Sequence, residues 1–183
     1  MDRDGVINRD SPDYIKSWAE VSFIPGSLEA LRRLTQAGFS IILITNQSAV
    51  NRRLMTAEAL DYLFAKLKSK VAASGGEITD IFYCPHLPEE NCACRKPFPG
   101  LIYKACRRYA INLESACLIG DSTRDIECAR AAACGYAILV LTGNGNQAQQ
   151  ELAEKQVPLE YVARDLLDAA CWLIANHDSD PAA

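Results

Sequence analysis

No stretch of this chain approaches the ~18 consecutive apolar residues that a membrane-crossing helix needs, and Met1-Asp2-Arg3-Asp4 has nothing of a secretory signal. A cytoplasmic setting without a membrane partner is expected. A basic surface is lacking too: the net charge is -4, the isoelectric point is near 5.2, and no Lys/Arg stripe rises above background, so nucleic acid is not an expected partner. Repeats, low-complexity tracts and long linkers are absent. With 49% apolar residues, the 183 positions describe one domain, 1–183, able to bury an ordinary core.

Turns at Pro25-Gly26, Gly38 and Gly75-Gly76 divide the first half into alternating patterns. Leu28, Leu31 and Leu34 recur at helical spacing between Ser27, read as the N-cap, and Gly38, and the stripe is read as core. The run 39–45 is short, continuous and β-branched, as in a parallel strand buried on both faces. A helix over 56–73, a strand over 81–83 and a helix over 100–109 follow. Next come a strand over 116–120, a helix over 123–133 and a strand over 137–141. The C-terminal part predicts a helix over 147–155, a strand near 161–162, a helix over 165–175 and a frayed tail over 176–183. Strands alternating with helices imply an α/β, doubly wound parallel sheet, whose ligands gather beyond the carboxyl ends of the strands.

Several chemically active residues fall at such ends. Asp2 and Asp4, two residues apart, point the same way in an extended start, as a nucleophile and its acid/base partner would. Thr45, Asn46 and Gln47 end the clearest strand with groups suited to phosphate oxygens. Lys96 offers a cation for a transferring phosphoryl group. Asp121 and Asp125, just after another strand, have the chemistry of magnesium ligands. Each alone has an ordinary reading as turn, cap or surface; together and in this order they point to phosphoryl chemistry.

Eight cysteines in a cytoplasmic chain are reduced core residues or metal ligands rather than disulfides. Cys84, His86, Cys92 and Cys94 fall within eleven residues, a Cys3His set typical of structural zinc, here stapling an irregular loop beside Lys96. Cys106, Cys117, Cys128, Cys134 and Cys171 lack ligand spacing and are read as core. His177, near the chain's end, is read as exposed and without a partner.

These motifs, Asp-x-Asp, a strand-end Thr, Lys and Gly-Asp-x-x-x-Asp, resemble the haloacid dehalogenase superfamily of phosphatases and occur in its order. The resemblance implies a Rossmann-like sheet with helices on both faces and a magnesium-dependent reaction. Asp2 would attack phosphorus, and Asp4 would protonate the leaving oxygen and then activate water. Thr45 and Lys96 would hold the phosphoryl group; Asp2, Asp4 and Asp121 would bind Mg2+; Asp125 is left with two readings, metal site or helix cap. Cys84-Pro85-His86 with Cys92-Ala93-Cys94-Arg95-Lys96-Pro97 resembles the branch containing heptose bisphosphate and histidinol-phosphate phosphatases, and residues 2–8, 14–17, 24–27, 45–48 and 95–100 favour the heptose enzymes. This implies a sugar-phosphate substrate, D-glycero-D-manno-heptose 1,7-bisphosphate, and release of its 7-phosphate on the way to lipopolysaccharide heptose. Arg95, Arg52 and the residues after Gln47 would then meet the distant end of the substrate, and a monomer is expected.

Two departures stand out. The family usually reads Gly-Ile-Ala-Arg-Gly where this chain has Ala49-Val50-Asn51-Arg52-Arg53, which removes two freely bending positions. Members also place a hydrophobic strand before the Asp-x-Asp. Here the first strand is expected to be missing, through an upstream start or a truncation, with two strand edges exposed and Asp2 on a frayed terminus. Histidinol phosphate is the alternative substrate, and a non-catalytic, zinc-stapled phosphate-binding module is the alternative class.

Overall fold

The computed structural model describes residues 1–177. In chain order its regular elements are α1 (Ser27–Gln36), β1 (Ile42–Asn46), α2 (Ala57–Ala73), β2 (Asp80–Cys84), α3 (Gly100–Tyr109), β3 (Cys117–Gly120), α4 (Thr123–Ala131), β4 (Tyr136–Val140), α5 (Gly145–Glu154), β5 (Tyr161–Ala163) and α6 (Leu166–His177). The tail expected to fray over 176–183 is helical at 176–177, as the end of α6; the rest of it, and the side chain of His177, lie outside the described residues. Among the described residues no helix is long and apolar enough to cross a membrane.

All pairs among these strands are parallel: β1 with β2, β3 with β4, and β4 with β5. Side-chain alternation divides the core between the two faces. Leu43, Ile119, Ile138 and Val140 pack with α1 and α6, while Ile44, Phe82, Leu118, Ala137 and Leu139 pack with α3, α4 and α5. The α/β sheet with helices on both faces is therefore present.

Among the described residues no full strand lies between β1 and β3. Met1 and Asp2 alone reach into that slot. The Met1 ammonium donates to Ile42 O at 2.9 Å. Ile44 N donates to Met1 O and Asp2 N to Ile119 O, both at 2.9 Å. The frayed Asp2 expected from the sequence is instead clasped from both sides. Beneath Met1 the slot opens into an apolar cavity of about 450 Å³ against Ile42, Ala105 and Leu118.

Local chemistry explains most boundaries. Thr56 caps α2, its Oγ1 accepting from Ala59 N at 3.2 Å. Ser27 does not cap α1 as expected; Gly26, at φ 84°, takes that place and Ser27 becomes the first helical residue. β1 starts at Ile42 rather than Phe39, because Phe39 N is spent closing the end of α1 onto Leu34 O at 3.0 Å. Cys128 and Cys134 are buried as expected, Cys106 packs partly against the same core, and Cys117 packs partly against the core on the other face. Cys171 is the correction: it is exposed on the outer side of α6, where Arg33 Nη1 lies 3.5 Å from its sulfur.

Leu67 of α2, fully buried between helix and sheet, tests this packing. Leu67→Ala is expected to cost about 2–5 kcal/mol, read as a lowered urea midpoint with an unchanged slope.

Candidate active site

Asp2, the end of β1, the 95–96 loop, the end of β3 and the turn after β4 converge on one polar cavity of about 290 Å³. The larger apolar cavity under Met1 lies on the other side of the strand ends and carries no such groups. The turn that starts the site depends on Gly5. At φ +76° its Cα faces the Asp121 carboxylate so closely that a Cβ would collide with it. Thr142 Oγ1 ties this turn to the end of β4 by donating to Gly5 O at 2.6 Å.

The Asp2 carboxylate accepts from Arg3 N at 2.7 Å and pairs with Lys96 Nζ at 3.0 Å. Lys96, 2% exposed, also pairs with fully buried Asp125 at 2.5 Å. Asn46 fixes the Lys96 main chain from both directions: its Oδ1 accepts from Lys96 N at 3.1 Å, and its Nδ2 donates to Lys96 O at 3.2 Å. Asp121, just past β3, accepts from Asn144 N at 2.8 Å.

Carboxylate oxygens of Asp2, Asp121 and Asp125 lie within 4.8 Å of one another, close enough to share a cation. Two buried acids and the partly buried Asp2 gather around one lysine. Burial raises Asp121 to about 7, aided by the negative charges of Asp125 and Asp2. Burial likewise raises Asp2 to about 6, with Lys96 opposing and Asp125 and Asp4 adding to the rise. Burial alone would lower Lys96, but the charges of Asp125 and Asp2 carry it well above the ordinary lysine value. The donor set and its excess negative charge fit a bound divalent cation.

Asp4 stands outside the three-acid cluster, and its oxygens accept from Arg3, Asn8 and Gln47. Thr45, 1% exposed, is linked to the same network by Gln47 Nε2 at 3.0 Å. Asn46 and Gln47, expected to meet substrate, use their side-chain amides on Lys96 and on Arg3, Asp4 and Thr45. Asp125 caps α4, accepting from Ser122 N at 3.1 Å and Ser122 Oγ at 2.5 Å, and it also stands in the acid cluster.

Arg52 and Arg95 do line the cavity, joined by Arg124, Tyr14 and Asn144. Arg52 is exposed and stacks its guanidinium 5.9 Å from the Tyr14 ring. Its loop keeps a left-handed bend at Arg53, φ 59°, although no glycine stands there, and Arg52 N bonds Ser48 O at 2.9 Å. Cys84, His86, Cys92 and Cys94 also converge, with sulfurs 3.3–3.5 Å apart and His86 Nδ1 3.4 Å from Cys84 and 3.3 Å from Cys94. Arg95 Nη1 donates to His86 O at 3.1 Å, linking this cluster to the loop that carries Lys96. Sequence reasoning missed Arg3, Asn8, Arg124 and Asn144. Asn144, beyond the end of β4, could have been found by the strand-end rule.

A family model described as HAD-hydrolase-like matches residues 93–169. A D-glycero-beta-D-manno-heptose-1,7-bisphosphate 7-phosphatase of Pseudomonas aeruginosa is 46% identical over 79% of this chain and 81% of its own. The enzyme of the same name from Bordetella bronchiseptica is 42% identical over 93% and 97%. The crystal structure of D,D-heptose 1,7-bisphosphate phosphatase from B. bronchiseptica, complexed with magnesium and phosphate, superposes with TM-score 0.87 at 41% identity, covering 96% of both chains. The chain thus belongs to the haloacid dehalogenase-like hydrolases. Within them it belongs to the family of the heptose bisphosphate phosphatases.

Asp2 and Asp121 take up protons in the metal-free folded chain that the unfolded chain, near its ordinary 3.8, has already released. Their contribution therefore favours folding most below about pH 4 and is lost as the pH rises toward about 7. Urea titrations of metal-free protein should show this decline, on the order of a few kcal/mol. Asp121→Asn should flatten it, and an unchanged slope would contradict the assignment.

Proposed function

We propose that this chain is a magnesium-dependent phosphatase that removes the 7-phosphate of D-glycero-D-manno-heptose 1,7-bisphosphate through an aspartyl-phosphate on Asp2. The observation carrying the reading is the Asp2 carboxylate, held 3.0 Å from buried Lys96 and beside Asp121 and Asp125 at the floor of a polar cavity. A binding module has no need of a nucleophile braced this way with a second acid, Asp4, on the same wall.

An Asp2 oxygen attacks phosphorus as the bond to the sugar's C7 oxygen breaks, and Asp4 gives that oxygen its proton. Asp4, now a carboxylate, takes a proton from water, which attacks the acyl phosphate, frees inorganic phosphate and restores Asp2. The Lys96 ammonium and Thr45 hydroxyl hold the phosphoryl oxygens as charge shifts onto them. Asp2, Asp121 and Asp125 would hold magnesium, with Asp4 a further candidate. When bound, magnesium supplies the positive charge that offsets repulsion between the acids and a phosphate dianion. Arg52 and Arg95 line the cavity's mouth, where their cations suit the second phosphate of the substrate. The curated relatives described above are named for the β anomer, which is the form proposed here.

The sulfur separations of 3.3–3.5 Å approach the edge of about 3.8 Å that a tetrahedron with zinc–sulfur bonds of ~2.3 Å would have. We assign this cluster to structural zinc. Its Cys94 directly precedes Arg95 and Lys96, so it would set where both cations stand.

Turnover of heptose bisphosphate should exceed that of histidinol phosphate in kcat/KM by at least about tenfold, with the 7-phosphate lost first; the reverse ranking would replace the substrate. Asp2→Asn should lower kcat at least about 10³-fold while leaving the circular dichroism unchanged. Metal analysis should find one zinc per chain. Cys92→Ser should lower that content and Tm together, and full zinc occupancy in this variant would sink the ligand assignment.

A further inference from the structure

We propose that Arg3 is the residue that positions Asp4 for proton transfer, a role that rests on the mechanism proposed above. A charged side chain between two acids on an extended start would ordinarily turn away toward solvent. Arg3 instead is 1% exposed and folds back on its neighbour. Its Nε donates to Asp4 Oδ1 at 2.9 Å and its Nη2 to Asp4 Oδ2 at 2.6 Å, a two-point fork that fixes the plane of the carboxylate.

The remaining contacts brace that fork. Arg3 Nη2 also donates to Gln47 Oε1 at 3.3 Å, and Gln47 Nε2 returns to Asp4 Oδ2 at 2.9 Å. Asn8 Nδ2 completes the set on Asp4 Oδ1 at 2.8 Å. The Phe64 ring lies 5.8 Å beneath the guanidinium. Nη1 is buried without a hydrogen-bond partner, so this arginine is retained at a solvation cost that an apolar residue of the same size would not carry. Its side chain makes no hydrogen bond to Asp2, which takes only the Arg3 backbone N–H. Arg3 therefore bears on the proton donor rather than on the nucleophile.

This separation is testable by leaving group. Heptose bisphosphate expels an alkoxide that must be protonated, whereas 4-nitrophenyl phosphate expels a phenolate that needs no proton. For Arg3→Met, kcat on heptose bisphosphate should fall about 10²-fold or more with KM changed less than about threefold. Single-turnover release of 4-nitrophenolate should fall less than about threefold. Arg3→Lys, which keeps the charge but offers one contact point, should recover part of the loss, and it supplies the comparison if Arg3→Met does not fold. In an Asp4→Asn background neither Arg3 substitution should lower turnover of heptose bisphosphate further. Equal losses on both substrates, or undiminished losses in the Asp4→Asn background, would overturn the positioning role while leaving the mechanism standing. If Asp4→Asn itself spares heptose bisphosphate and shows no leaving-group dependence, the role of Asp4 falls and this inference with it.

Discussion

The arrangement depends on one buried cation. Lys96, 2% exposed, lies between Asp2 and Asp125, and with Asp121 alongside, three carboxylates share a single positive charge. Burying so many charges is costly, and a lysine paired on both sides is what makes the cluster tenable at all. Lys96 does not neutralise it. Burial raises Asp2 and Asp121, the negative charge left over adds to the rise, and a divalent cation would relieve that excess.

The fold supplies the convergence that this cluster requires. Parallel strands bring their carboxyl ends to one edge, so Thr45, Asp121 and Asn144 meet there although far apart in sequence. Lys96 comes from no strand at all. Its loop is held by the Asn46 amide on one side and, through Arg95 and His86, by the cysteine cluster on the other. Irregular chain around a buried cation needs such ties, because a displacement of about 1 Å would break its pairing with Asp2 and Asp125.

Much of this was legible because it is periodic or local. The stripes over α1 and α2 and the continuous apolar run of β1 follow from burial on one or both faces. The cysteine cluster follows from ligand types crowded into eleven residues. What escaped depends on chain reversal. Arg3 looks like a surface charge until its side chain is seen folding onto its own neighbour. Asn46 looks like a phosphate contact until Lys96, fifty residues away, takes both ends of its amide. At position 53 the left-handed conformation is taken by Arg53 within a loop closed by backbone hydrogen bonds, which no local pattern announces.

The position of Asp2 follows from the same logic of distributed support. Two residues in the slot between β1 and β3 make three backbone hydrogen bonds, one side of the slot being held through Ile42 and Ile44 and the other through Ile119. Lys96 adds a fourth restraint at the carboxylate itself. Because Ile119 lies two residues before Asp121, Asp2 and that acid are registered to each other through one backbone bond. A shift of β3 against β1 would therefore move both groups at once. The buried Lys96 pair favours the register in which the acids close around it, so the site's electrostatics help to join two strand sets between which, among the described residues, no full strand lies.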